Sequence, residues 1–167
     1  KTHQYGERAY AAVELARSQV ASLLNAEPRE IIWTSGATEA NNMALLGAAR
    51  FYQRSGRHII SVKTEHSAVL KPLQALESEG FSITLLDVDE HGAIKLDALI
   101  NAIRKDTILI STMHVNNETG VIHDIAAIGD IARSNGVKFH VDAAQSAAKV
   151  AIDVEAMKID LLSMSAH

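Results

Sequence analysis

Five short stretches of this sequence place side chains able to hold an anion, orient an acid or move a proton at the ends of apolar runs. In "SGATEANN", Gly36 permits a tight turn, and Ala37, Thr38 and Glu39 enter a helix whose free N–H groups and positive dipole end favour an anion. The Thr38 hydroxyl could add a hydrogen bond to a phosphate, or serve only as the helix N-cap. The stretch lacks the spacing of a P-loop or a dinucleotide fingerprint. In "HVDAAQS", His140 and Asp142 lie two apart on a strand and share a face, with Gln145 just past the strand end. A carboxylate in so apolar a strand is costly unless a cation or a hydrogen-bond donor meets it. A core ion pair or a backbone hydrogen bond would satisfy it as well as a ligand would. His66 in "KTEHSAV" opens a helix directly after a strand, where a functional ring and a plain capping residue are both reasonable. Asn116 and Asn117 in "NNETG" could simply build a turn, because asparagine bonds its own backbone readily. The fifth stretch, "LLSMSAH" at 161–167, reads as a buried strand entering a functional loop. His140, Asp142 and His114 are also metal-ligand types, but no recognised metal spacing such as HExxH joins them.

The elements that must carry these groups follow from periodicity. Residues 6–24 place Ala9, Val13, Ala16, Val20 and Leu23 on one face at helical spacing, ending near Asn25 and Pro28. "IIWTS" (31–35) reads as a short strand cut off by Gly36, followed by a helix through Met43, Leu45, Leu46 and Ala49. The pattern repeats with "HIISVK" and a helix through Val69, Leu73 and Leu76, then "SITLLDV" and a helix through Leu96, Leu99 and Ile103. "TILISTMHV" leads to a helix through Ile125, Ile128 and Ile131, and "VKFHVDAA" leads toward the last strand. This alternation predicts an α/β fold, a mostly parallel sheet with helices on both faces, whose ligand site lies beyond the carboxyl ends of the strands. All five chemical stretches fall at those ends.

Composition narrows the classes. The 167 residues are 47% hydrophobic and 22% charged, ordinary for one soluble domain. A net charge of −4 with scattered lysines and arginines offers no basic stripe for nucleic acid. The absence of cysteine removes disulfides, thiolate metal sites and a cysteine nucleophile from this sequence. No apolar stretch approaches the roughly 20 residues of a membrane span, so a cytoplasmic protein without membrane contact is the expectation. The start lacks a methionine, which suggests a processed product or a piece.

"TSGATEANNMALLGAA", "KTEHSAVL", "MHVNNETGVIHDI", "FHVDAAQS" and "DLLSMSAH", in this order and spacing, resemble the cysteine desulfurases. These are pyridoxal-phosphate (PLP) enzymes of the class V aminotransferase family, and the likeness is to the branch serving nitrogen fixation and general iron–sulfur cluster assembly. The resemblance implies the large PLP-binding domain of the aspartate-aminotransferase-like fold, incomplete, over residues 1–167. It implies that Asp142 pairs with the pyridinium nitrogen, Gln145 donates to the ring phenolic oxygen, and His66 stacks on the ring and is available for proton transfer. It also implies that Ala37 and Thr38, with Ser165, Ala166 and His167, lie on the phosphate side, and that Asn117 lies near the ring and the substrate carboxylate. The implied reaction takes L-cysteine to alanine, leaving persulfide sulfur for acceptor or cluster-scaffold proteins, in a homodimer.

In the family, "S-x-S-x-H" is followed by the lysine that bonds PLP covalently, and the sequence stops at His167. The family's persulfide cysteine and its substrate-gripping arginine have no counterpart here either. The resemblance therefore implies a fragment, expected to be inactive as a desulfurase alone while retaining room for weak non-covalent PLP or phosphate binding. Exposed apolar surface is expected to make it self-associate. Alternatives at this stage are another class V PLP enzyme (selenocysteine lyase, kynureninase or aminotransferase), a non-enzymatic binding module, and a metallohydrolase built on His140, Asp142 and His114.

Overall fold

The computed structural model describes residues 3–166. Helix α1 (Gln4–Leu24) is followed by a single 3-10 turn (Pro28–Glu30), α2 (Ala37–Tyr52), β1 (His58–Val62), α3 (Ser67–Ser78) and β2 (Ser82–Leu86). Then come α4 (Leu96–Ala102), β3 (Thr107–Met113), α5 (Ile125–Ser134), β4 (Lys138–Asp142) and β5 (Leu161–Ser163). The strands form one sheet in the order β2-β1-β3-β4-β5, and every pairing is parallel.

The run-like apolar strands follow from burial on both faces. Every residue of β1 and β3 is buried. Because successive side chains alternate across a strand, Ile59 and Leu109 pack against Leu45, Ala48 and Ala49 of α2 and Val69, Leu73 and Leu76 of α3. Their neighbours Ile60, Val62 and Ile110, with Phe139 and Val141, meet Leu99 of α4 and Ile125, Ile128 and Ala132 of α5. Each fully buried Leu or Ile removes about 1.5–3 kcal/mol worth of apolar surface from water. This two-sided packing fixes where the strands end, and hence where the site groups stand. No helix among the described residues is long and apolar enough to cross a membrane.

Three local expectations are corrected. "IIWTS" is not a strand: residues 31–34 have no ladder partner, and Ile32 and Trp33 are 71% and 49% exposed. β-branched and aromatic residues favour extended backbone, but a strand needs a neighbour to bond. Here the Ile31 carbonyl accepts from the Arg17 side chain, whose guanidinium lies 5.6 Å from the Trp33 ring centre. α1 exists, yet its predicted apolar face is mostly exposed, including Val13 and Leu23, and the helix buries only Ala21 and Leu24 in its last turns. The third correction concerns Thr38, which is not a cap. Gly36 is the N-cap of α2, and no side chain caps that helix.

Candidate active site

The site lies at the carboxyl end of the sheet, where β3 and β4 stop together: Met113 pairs with Asp142 in register. Asp142 is buried, and its two oxygens are used differently. Oδ2 accepts from Asn41 Nδ2 of α2 at 2.7 Å, and Oδ1 accepts from the Ala144 N–H at 2.9 Å. A carboxylate oxygen has a second lone pair, so both bonds orient the group without exhausting it. The satisfied-core alternative for Asp142 is thus half true: donors meet it, and it still faces a cavity.

That cavity, of about 350 Å³, is lined by Asp142 and Gln145 after β4, His66 at the start of α3, and Asn117 after β3. Ala37 and Thr38 in the first turn of α2, and Ser165 after β5, complete the wall. Four of the five contributing loops follow strands, and the fifth is the extended 31–36 segment leading into α2.

The α2 end has the geometry to receive an anion. Gly36 has φ +155° and ψ −179°, a region that is essentially glycine's alone. This backbone turns the chain into the helix while leaving open space where a Cβ would be. The first-turn N–H groups have no intrahelical acceptor, and Glu39, which could reach back, is occupied with the Ser35 N–H at 2.6 Å. Donors and dipole therefore point at one end of the pocket, with the Thr38 hydroxyl beside them.

His66 is both a capping residue and a pocket wall. Its Nδ1 accepts from the Ala68 N–H at 3.1 Å, so the neutral ring carries its proton on Nε2. Asn116 builds the turn: its Oδ1 accepts from the Glu118 and Thr119 N–H groups at 3.0 and 2.9 Å, which leaves Asn117 to reach the pocket. Ala166 is exposed and lines an adjoining cavity with Ser165, Trp33 and Leu162 instead of this one. His167 lies outside the described residues.

Two residues of the site were missed from sequence. Asn41 is fully buried, and its Oδ1 has no partner. Glu65 is buried, accepts from the Met113 N–H at 2.6 Å through Oε1, and leaves Oε2 without a partner. Burial first, and Asp142 in addition, push its carboxyl up to about 8 against a stabilising pull from the Met113 bond. Neither carried a local signal: Glu65 stands among Lys63, Thr64 and His66, and the partner that buries it is 48 residues away.

The metal grouping does not form. Both ring nitrogens of His140 are engaged, Nδ1 with Ser111 Oγ and Nε2 with Ser163 Oγ at 2.9 Å each. His114 meets both Asp142 and His123 through its backbone, at 2.9 Å each, and its ring Nδ1 has no partner. Among the described residues, no three His, Cys, Asp or Glu groups converge as ligands.

Residues 1–167 match the aminotransferase class-V family along their whole length. The chain belongs to that family. It is 60% identical to cysteine desulfurase IscS of Vibrio cholerae serotype O1 (strain M66-2), over 100% of this chain and 41% of that protein. Cysteine desulfurase IscS of Shewanella sediminis (strain HAW-EB3) is 58% identical with the same coverage. The chain thus spans about two fifths of the length of the curated relatives it matches. Among solved structures, SspA in complex with cysteine superposes with a TM-score of 0.96 at 42% identity, covering 100% of this chain and 48% of the other. An apo cysteine desulfurase from Thermococcus onnurineus NA1 gives 0.92 at 31% identity, covering 99% and 41%. The class-V family and the all-parallel sheet agree with the fold expected from sequence.

Proposed function

We propose that this chain is the PLP-binding part of a cysteine desulfurase, an enzyme that takes L-cysteine to alanine and passes the sulfur to an acceptor. The observation that carries the reading is the convergence of Asp142, His66, Gln145, Asn117, Thr38 and Ser165 on one pocket, in a chain 60% identical to a cysteine desulfurase. The donor set fits the cofactor. An uncapped helix end suits a phosphate, and an oriented buried carboxylate with free lone pairs suits a ring N–H⁺. The unpaired Asn41 Oδ1 beside it adds acceptor capacity.

PLP supplies an electron sink for bonds at the substrate's α-carbon. The chain's residues do the holding. Asp142, kept in place by Asn41 and Ala144, would hold a proton on the ring nitrogen through a charge-assisted bond of about 1.5–3 kcal/mol. Thr38 and the α2 N–H groups would hold the phosphate, with Ser165 lining the same pocket. His66, fixed through Nδ1, presents its Nε2 proton and ring face to the pocket, while Gln145 and Asn117 offer amide donors at its rim.

The same reading places the parent in the cytoplasm, as a homodimer serving iron–sulfur cluster scaffold proteins. The exposed Tyr5, Leu15, Ile32 and Phe51 support a dimer or a covering element, and the relatives' name supports the sulfur role. Titrating the 167-residue chain with PLP at pH 7.5 tests the site. Saturable absorbance change competed by inorganic phosphate is expected, and no saturable binding would overturn the reading.

A further inference from the structure

β3 is longer than its neighbour β1, and this leaves a problem at its end. β1 stops at Val62, so the N–H of Met113 on that side has no strand to bond, and a buried unpaired N–H is costly. The Glu65 carboxyl takes the place of the missing strand, accepting that N–H at 2.6 Å. One residue earlier, the Thr64 carbonyl accepts from Asn116 Nδ2 at 3.2 Å. The turn that carries His66 is therefore stapled at two points to the loop that carries Asn117. On its other edge, Met113 is paired with Asp142, whose carbonyl accepts from the His114 N–H at 2.9 Å. Glu65 and Asp142 thus flank the same residue of β3 from opposite sides.

We propose that Glu65 is a positioning residue of this pocket: its carboxyl fastens the His66 turn to the end of β3 and couples that wall to Asp142. The inference rests on the cofactor reading for its purpose, though the coupling itself does not. A neutral amide could serve as the staple. What a carboxyl adds is a second oxygen, here buried and without a partner, beside a second acid. Burial and Asp142 hold the proton on Glu65 up to about pH 8. Lys63 and His66 are the titratable groups on its own turn, with His114 one residue past Met113 and Glu39 across on α2 at the pocket. Lys63 is turned to Asp87 at 2.7 Å, and Glu39 to the Ser35 N–H. The charge that acts on Glu65 is that of Asp142, and it opposes the ionised form. When Glu65 ionises, its bond from the Met113 N–H strengthens, but a second buried negative charge then faces Asp142, and the repulsion between the two carboxylates shifts the His66 wall relative to Asp142.

The test uses the whole chain labelled with 13C at its carboxyl groups, compared with Glu65→Gln, which keeps the acceptor for Met113 and cannot ionise. The expected result is a step near pH 8 in the Glu65 carboxyl, echoed in the Asp142 carboxyl and the Met113 amide, with both echoes absent from E65Q. Identical Asp142 and Met113 titrations in the two proteins would overturn the coupling. A second arm measures PLP affinity at pH 6.5 and 8.5. The wild-type affinity should fall about three- to tenfold relative to E65Q between these values, and a constant ratio counts against the proposal. If neither protein binds PLP, the cofactor reading fails while the carboxyl titration still decides for or against Glu65.

Discussion

Buried polar groups occupy two levels of this sheet, and they are treated differently. In its body, His140 is held between Ser111 and Ser163, and His58 between Thr107 and Thr84 at 2.7 and 2.8 Å, so that every ring nitrogen of the two is paired. At its carboxyl end, Asp142, Asn41 and Glu65 are also buried, yet Asn41 Oδ1 and Glu65 Oε2 have no partner. The two histidines of the lower level are satisfied by neighbouring strands, because strand pairing places side chains of adjacent strands within reach of one another. The upper level runs out of strands, and there Asn41, with a spare Oδ1, lines the pocket while Glu65 stands behind its wall. Paired groups specify the sheet, and half-paired groups are what a ligand can use.

Breaking the lower level should cost the most stability. His140→Leu leaves the Ser111 and Ser163 hydroxyls buried without their partner, which predicts a loss of about 2–5 kcal/mol in urea unfolding. The same ring sets an acid limb. Burial holds His140 down to about 4 from its ordinary 6.5, so below pH 6.5 the unfolded chain binds a proton that the folded chain refuses. Stability is therefore full above pH 6.5 and falls as the pH drops toward 4, by up to about 3 kcal/mol from this residue. Thermal midpoints measured across that window should show the decline, and a chain with the same midpoint at pH 4.5 and 7 would contradict it.

Breaking the upper level should move binding more than stability. Asp142→Asn keeps a side-chain acceptor for the Ala144 N–H but removes the charge presented to a ring N–H⁺. PLP affinity is expected to fall about 10- to 100-fold, the value of a charge-assisted hydrogen bond, while unfolding shifts by less than about 1 kcal/mol. A variant that unfolds readily yet binds PLP normally would place Asp142 in the lower level instead.

The same two levels explain what was legible in the sequence. Asp142, Gln145, His66 and Asn117 could be read because each stands where an apolar run ends, and the β/α alternation fixes which end that is. Asn41 and Glu65 could not be assigned in the same way, since their roles depend on distant partners: Asn41 meets Asp142 across 101 residues, and Glu65 meets Met113 across 48. "IIWTS" misled because propensity describes the backbone and not the neighbour it lacks. The α1 face misled for a related reason. Its helical spacing is real, but periodicity shows which residues share a stripe, not whether anything covers it.

The smallest effect separates two roles for one hydroxyl. Had Thr38 capped α2, replacing it with valine would cost about 1 kcal/mol of stability. With Gly36 as the N-cap and Thr38 exposed in the first turn, Thr38→Val should change unfolding by less than about 0.5 kcal/mol, the scale of an exposed substitution. Valine removes one donor from the anion end while leaving the backbone N–H groups in place. Inorganic phosphate affinity should then drop about two- to fivefold, since one neutral hydrogen bond is worth about 0.5–1.5 kcal/mol. A stability loss without an affinity change would return Thr38 to the structural level and leave the anion end to the backbone alone.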